Sequence, residues 1–397
     1  MIHRVYLSPG MFGFGRLAAY DYFVHLERGL TERLHAAGDD VEIRVARVAP
    51  NASIRRRAMK LTDLVDETCD PEKPDGGPIH LIGHSTGGLD ARLVASPTVS
   101  LAGPQRAHAW LPRIASVTTI NAPHFGTPLA SFFTTASGQR ALRALSALTV
   151  VALSLGSPPL SVAGALVAAF GRVDRAVGLD IKVLERTTET LLRQIDGVRS
   201  REVRDYIDLM REDNGAMVQL MPEAMDLFVA GVEDRAGVFY QSVVSMAPPP
   251  SPGSFVRSLR SPWSALSSAI FAILYRITAV QDRAYPCAAP TLDADHERAL
   301  LQSFGRMPEL RESDGVVPVR SQLWGKIAWA GYADHLDVLG HFDGGRTNAA
   351  SAGAAPRHVD WLCSRSDFGA AQFAAMLDAI ASGLLHAGRD AARKRVA

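Results

Sequence analysis

Residues 78–88 read PIHLIGHSTGG, an apolar run that passes abruptly into glycines set around a single serine. The run 79–82 has the length and composition of a buried strand, and residues 86 to about 95 continue as a helix. Ser85 therefore stands where a strand turns sharply into a helix. Such a turn forces its apex residue into strained backbone geometry, and side chains two places before and two places after it would collide. Glycines at 83 and 87 remove that collision. Gly83-His84-Ser85-Thr86-Gly87 fits G-x-S-x-G, the turn that presents a serine hydroxyl at the carboxyl end of a sheet strand and beside a helix N-terminus.

Outward from this turn the chain alternates. Residues 5–8 form a strand stopped by Pro9-Gly10, and Leu17, Tyr20, Phe23, Leu26, Leu30 and Leu34 then recur at helical spacing until Gly38. Val41, Ile43 and Val45 alternate as a strand does, residues 53–69 suit a helix, and Gly76-Gly77-Pro78 breaks it. The stretch RIASVTTINAP, residues 113–123, is a β-branched strand. This order predicts an α/β class with a mostly parallel sheet covered by helices on both faces. Beyond Pro128 the pattern becomes Ala/Leu-rich helix, interrupted by a strand over 237–246 and a proline-rich break at 248–252. A single domain over residues 1–397 is expected, with a helical lid inserted over 129–236 and a second helical excursion over 247–305. Residues 144–171 carry no charge for 28 positions, but Gly156-Ser157-Pro158-Pro159 cuts them into halves shorter than a membrane span. They read as two apolar helices roofing a site, as does the uncharged stretch 261–275.

The 42 basic and 41 acidic side chains leave a net charge of +1, which gives no electrostatic footprint for nucleic acid. Arg55-Arg56-Arg57 reads as a solvated helix face. Cys69, Cys287 and Cys363 are too few and too scattered for a disulfide framework or a zinc knuckle. No basic, then apolar, then small-residue leader opens the sequence, so a reducing, cytoplasmic location is expected.

A serine at neutral pH needs a base, and the base needs an orienting carboxylate. In this type of fold the chain order is Ser, then Asp or Glu, then His. Asp314 precedes Gly315 and the strand-like VVPV, and His335 follows 21 residues later in the polar turn ADHLD. Ser85, Asp314 and His335 are thus the candidate catalytic residues. The turn itself aims the backbone N–H of Thr86 at a developing oxyanion. His84 should point away from the hydroxyl and serve packing or hydrogen bonding.

Taken together, GHSTGG (83–88), VTTINAPHFGTP (117–128), SDGVVPVRSQLWG (313–325) and DHLD (334–337) resemble the bacterial true lipases of the α/β-hydrolase fold. A fainter echo is NGAMVQLMPEAMDLF, residues 214–228. The resemblance implies the same triad, Ser85, Asp314 and His335, and a structural role for His124. It also places SPGMFGFG, residues 8–15, at the family's H-G-x-x-G loop, which implies that the N–H of Met11 is the second oxyanion donor. Pro9 stands where that loop usually has histidine, and Arg320 near where the family usually has a disulfide cysteine. Asp337 matches a calcium-ligating aspartate of the family, and Asp293, 21 residues before Asp314, is the second carboxylate proposed for such a site. The chemistry itself needs no cofactor.

The resulting expectation is a serine hydrolase cleaving carboxylic esters with apolar acyl chains, with transient contact at a lipid interface and no nucleic-acid partner. Acyl transfer to an alcohol and thioester hydrolysis would use the same machinery. A non-catalytic lipid-binding protein of the same fold is the alternative outside enzymes.

Overall fold

The protein was described from a computed structural model, which covers residues 1–11, 16–17, 20–69, 76–101, 108–135, 138–139, 141–142, 213, 215–251, 262–342, 358 and 360–396. Strands β1 (Ile2–Ser8), β2 (Asp40–Val45), β3 (Ile79–His84), β4 (Ile114–Ile120), β5 (Phe239–Met246) and β6 (Lys326–Tyr332) form one sheet in the order β2-β1-β3-β4-β5-β6. Every neighbouring pair is parallel. The central strands β3 and β4 are buried along their whole length, which is why they read as unbroken apolar and β-branched runs, while β2 at one edge is half-exposed. After β1 the chain places β2 on one side and then crosses to place β3 on the other. The carboxyl ends of β1 and β3, at Ser8 and His84, therefore flank the point where the winding reverses, the place where parallel sheets bind ligands.

Helices close both faces. On one side α1 (Val24–Ala36) and the long α9 (Ala370–Val396) bury Leu26, Leu30, Leu34, Phe373, Met376, Leu377, Ile380 and Leu384 against Val5, Leu7, Ile82, Ile120 and Val243. The three-to-four-residue recurrence on α9 is a helical stripe, and each such side chain contributes roughly 1.5–3 kcal/mol by leaving water. Helix α9 is long and apolar enough to cross a membrane, yet its apolar stripe is already used against this sheet and α1. On the opposite face lie α2 (Ile54–Thr68) and α3 (Thr86–Ala95). Ser53 caps α2 by accepting from the N–H of Arg56, matching the helix start expected from the sequence. The architecture is the α/β-hydrolase fold.

Two expectations need correction. Leu17 and Tyr20 fall in two-residue antiparallel strands, Arg16–Leu17 and Tyr20–Asp21, and α1 begins only at Val24. The stretch VVPV is a turn: the Asp314 side chain takes the N–H groups of Val316 and Val317, and Pro318 can donate nothing to a ladder. The strand lies further on as β6, after a short turn at Val319–Ser321.

Most of the expected lid, including residues 144–171, lies outside the described residues. Its described parts, α4 (Pro128–Thr134), α5 (Gly215–Gln219) and α6 (Pro222–Gly231), bury Leu129, Phe133, Met217, Leu220 and Met225 in the main core. The second excursion gives α7 (Pro262–Thr278) and α8 (Ala294–Phe304). Helix α7 packs Phe271 against the Gly315 backbone, so that a Cβ on Gly315 would lie 2.8 Å from the ring.

Candidate active site

At the end of β3, Ser85 holds φ 54° and ψ −128°, a left-handed conformation forced by the direct passage into α3. Its N–H donates to the Ile120 carbonyl at 2.8 Å, pinning the turn to β4. The flanking glycines are required by close backbone approach. A Cβ on Gly83 would lie 2.0 Å from the Gly87 carbonyl carbon, and one on Gly87 would lie 2.1 Å from the Ser8 carbonyl oxygen. The expected steric reason for G-x-S-x-G is thus visible, and β1 is one of the crowding partners.

His335 is brought in by the loop after β6 and Asp314 by the turn between α8 and β6. His335 Nδ1 lies 2.7 Å from Asp314 Oδ2 and its Nε2 lies 3.0 Å from Ser85 Oγ. A carboxylate only accepts, so Nδ1 carries the proton, the Nε2 lone pair faces the serine, and the serine O–H donates to it. Asp314 is fully buried and its other oxygen accepts from Val316 N at 2.9 Å and Val317 N at 2.7 Å. The backbone N–H of His335 donates to the Asp314 carbonyl at 3.0 Å, which ties the two loops together a second time. The geometry places all three sequence-derived residues in one line, serine to imidazole to carboxylate.

Thr86 opens α3, so its N–H is among the first-turn donors that the helix leaves unused. Met11 lines the same small apolar cavity as Ser85, Thr86, Leu129, Phe133 and Met217. Gly10, just before it, approaches the turn so closely that a Cβ would lie 2.8 Å from Ser85 Cβ. Both residues expected to supply oxyanion donors therefore border the serine.

The reading of residues 55–57 as a solvated face fails at Arg57, which is fully buried with Asp90. Arg57 Nη2 donates to Asp90 Oδ2 at 2.8 Å and Nε to Oδ1 at 3.2 Å, while Ser8 Oγ donates to Oδ2 at 2.7 Å. The guanidinium also donates to the carbonyls of Ala49 and Pro50 and to that of Pro9, immediately before the Gly10–Met11 segment. The signal was present in the helical period: Ile54, Ala58, Leu61 and Val65 make the buried stripe of α2, and position 57 falls on it where 55 and 56 do not.

The proposed metal pair is also corrected. Asp293 caps α8, accepting from His296 N at 2.7 Å, and its side chain is largely exposed, so its carboxylate already serves the helix. Asp337 is buried instead with Asp334 and Asp360, and one ligand atom from each lies within 4.8 Å of the others. Burial pushes the Asp337 carboxyl up to about 7, with the Asp360 charge adding to it, and burial drives Asp334 well above its usual value. Among the described residues, Asp334 Oδ2 and Asp360 Oδ1 are buried without a hydrogen-bond partner. His124 is structural as expected: Arg92 Nη1 donates to its Nδ1 at 3.2 Å, and its Nε2 donates to Thr119 Oγ1 at 3.1 Å.

Sequence reasoning gave no role to Tyr22, whose hydroxyl lies 2.7 Å from His84 Nδ1. Only the three-dimensional return of the 20–22 segment to the turn reveals it.

Comparison with known proteins gives the following. No family model matches the chain. A triacylglycerol lipase of Vibrio cholerae is 32% identical over 128 residues, a segment that makes up 32% of this chain and 35% of that relative. The matched segment thus spans about a third of each protein. Among solved structures, a metagenomic carboxyl esterase is 16% identical, with 96% of this chain and 75% of that one covered at a TM-score of 0.47. Lipase 1 from Pelosinus fermentans is 17% identical, with coverages of 85% and 93% and a TM-score of 0.46.

Proposed function

We propose that this chain is a serine hydrolase of the lipase and esterase kind, acting on carboxylic esters with apolar acyl groups. The observation that carries the proposal is the line Ser85–His335–Asp314, with contacts of 3.0 and 2.7 Å, at the carboxyl end of the parallel sheet. The partial likeness to a triacylglycerol lipase supports the same reading.

Ser85 Oγ attacks the ester carbonyl while His335 Nε2 takes its proton, and the imidazolium so formed is stabilised by Asp314. Negative charge that develops on the carbonyl oxygen is met by the backbone N–H groups of Thr86 and Met11, donors that are fixed before the substrate arrives and cost no reorganisation. His335 returns the proton to the leaving alkoxide, leaving an acyl-serine. Water, deprotonated by the same imidazole, then releases the carboxylic acid and restores the serine. The cavity walled by Leu129, Phe133, Met217 and Leu220 would receive the acyl chain.

A calcium ion is proposed as a structural cofactor at Asp334, Asp337 and Asp360. The donors fit: three carboxylates suit a hard cation, and two of their oxygens are buried with no hydrogen-bond partner among the described residues. Asp337 lies two residues after His335, so an ion there would fix the loop carrying the general base without touching substrate.

The test is labelling with a serine-reactive alkyl phosphonate together with turnover of p-nitrophenyl esters from acetate to palmitate. Labelling that disappears in Ser85→Ala, with turnover disappearing alongside it, is the expected result. Hydrolysis that survives this substitution would sink the assignment.

A further inference from the structure

We infer that Tyr22 and His84 are positioning residues that couple the oxyanion segment Gly10–Met11 to the loop carrying His335, an inference that rests on the hydrolase reading above. The chain of contacts is short. Gly10 sits against the His84 ring, where a Cβ on it would lie 3.1 Å from Nδ1, Tyr22 Oη lies 2.7 Å from the same Nδ1, and His84 Nε2 lies 2.9 Å from the His335 carbonyl oxygen.

The chemistry of the groups fixes the direction of every bond. A carbonyl oxygen can only accept, so His84 Nε2 carries a proton and donates to His335. Burial holds the His84 ring neutral, because it drives the pKa well below the usual histidine value and the neighbouring His335 charge pushes the same way. With one ring proton, Nδ1 must accept, so the Tyr22 hydroxyl donates to it. Neither link can reverse without leaving a buried donor facing a donor. The rings are also packed at tilted angles along the same path, with His84 and His335 centroids 4.8 Å apart and Tyr22 and His84 centroids 5.8 Å apart.

The need for such a link follows from Pro9. Proline has no N–H, and its carbonyl is held by Arg57, so Gly10 is the residue through which this segment can be tethered towards the serine turn. Its lack of a Cβ lets it sit there, since a Cβ would lie 3.1 Å from His84 Nδ1. His84 thus occupies the x position of G-x-S-x-G with a task on each ring nitrogen: one sets the donor segment, the other the base.

The test is a double-mutant cycle on the full chain with p-nitrophenyl butyrate, with kcat expressed per site titrated by the phosphonate so that misfolded protein is not counted. Tyr22→Phe removes the hydroxyl and keeps the ring. His84→Gln retains an amide donor near the Nε2 position and removes the acceptor facing Tyr22. Each single variant is expected to lose about tenfold to a hundredfold in kcat with little change in KM, since a misplaced oxyanion donor weakens only the transition state. The double variant is expected to lose no more than either single one, because both cut the same chain. Wild-type kcat per titrated site in Tyr22→Phe, or losses that multiply in the double variant, would overturn the coupling while leaving the hydrolase reading intact. A wild-type protein that takes no label and turns over no ester would overturn the hydrolase reading and this inference with it.

Discussion

In the proposed mechanism Ser85, Asp314 and His335 share one proton path, so removing any one of them is expected to disable the others. Ser85→Ala and His335→Ala are each expected to lower ester turnover by about 10⁴-fold or more with the melting temperature little changed, and Asp314→Asn by about 10⁴-fold because it admits the wrong imidazole tautomer. Steady-state kinetics with circular dichroism as a folding control checks all three. These residues were legible because each lies in a short local pattern: glycines that permit a strained turn, an aspartate before a glycine and a strand-like run, a histidine in a polar loop. Arg57 was not, since an arginine beside two exposed arginines reads as surface until Asp90 is known to sit opposite it. Its burial yields a prediction of its own. Arg57→Leu strands the Asp90 carboxylate in the core and should cost about 3–5 kcal/mol, whereas Arg57→Leu combined with Asp90→Leu should recover most of that loss, because a buried ion pair is weak evidence of net stabilisation. Urea denaturation of the single and double variants decides it; a double variant no better than the single one would mean that the carbonyls of Ala49, Pro50 and Pro9 are the partners that matter.

Single elements were read well where period and boundary agree. Helix α3 appears at the expected residues because the glycine turn starts it, and α2 starts where Ser53 can cap it. Strand β6 escaped because VVPV mimics a strand, and only the Asp314 side chain, by holding two N–H groups, converts that stretch into a turn. The first helix was drawn too long because Leu17 and Tyr20 share its spacing but are used in a small antiparallel pair. Helices α4 and α5 wall the cavity beside Ser85, with Phe133 and Met217 lining it. Phe133→Ala should enlarge that wall at a stability cost of about 3–5 kcal/mol. It should raise the ratio of kcat/KM for laurate over butyrate esters relative to the wild type, since the added space serves only the longer chain. An unchanged ratio with the same fall in melting temperature would assign Phe133 to the core alone.

For the whole molecule, pH and metal should act on stability together, with opposite signs from two sets of buried groups. His80, His84 and His124 are driven well below the usual histidine value by burial, and His341 is pushed down to about 3. The unfolded chain therefore takes up protons near pH 6.5 that the folded chain refuses, and stability falls as the pH drops from about 6.5. The slope is roughly 1.4 kcal/mol per pH unit for each such group. The aspartate cluster opposes this in the absence of metal. Its folded-state pKa values are raised, Asp337 to about 7, so the folded chain retains protons that the unfolded chain has lost, and its contribution falls as the pH rises from about 4 to 7. Calcium at Asp334, Asp337 and Asp360 would hold these carboxylates ionised and abolish the second slope. It would also add stability by binding only the folded state. The melting temperature is thus expected to rise less between pH 5 and 7 in a chelator, where the aspartates oppose the histidines, than over the same range in excess calcium. The difference between the two curves should widen as the pH increases. Scanning fluorimetry in parallel buffers reads this directly: coincident curves would remove calcium from the site, and a gap that narrows towards pH 7 would mean that the ion is held by groups other than these three aspartates.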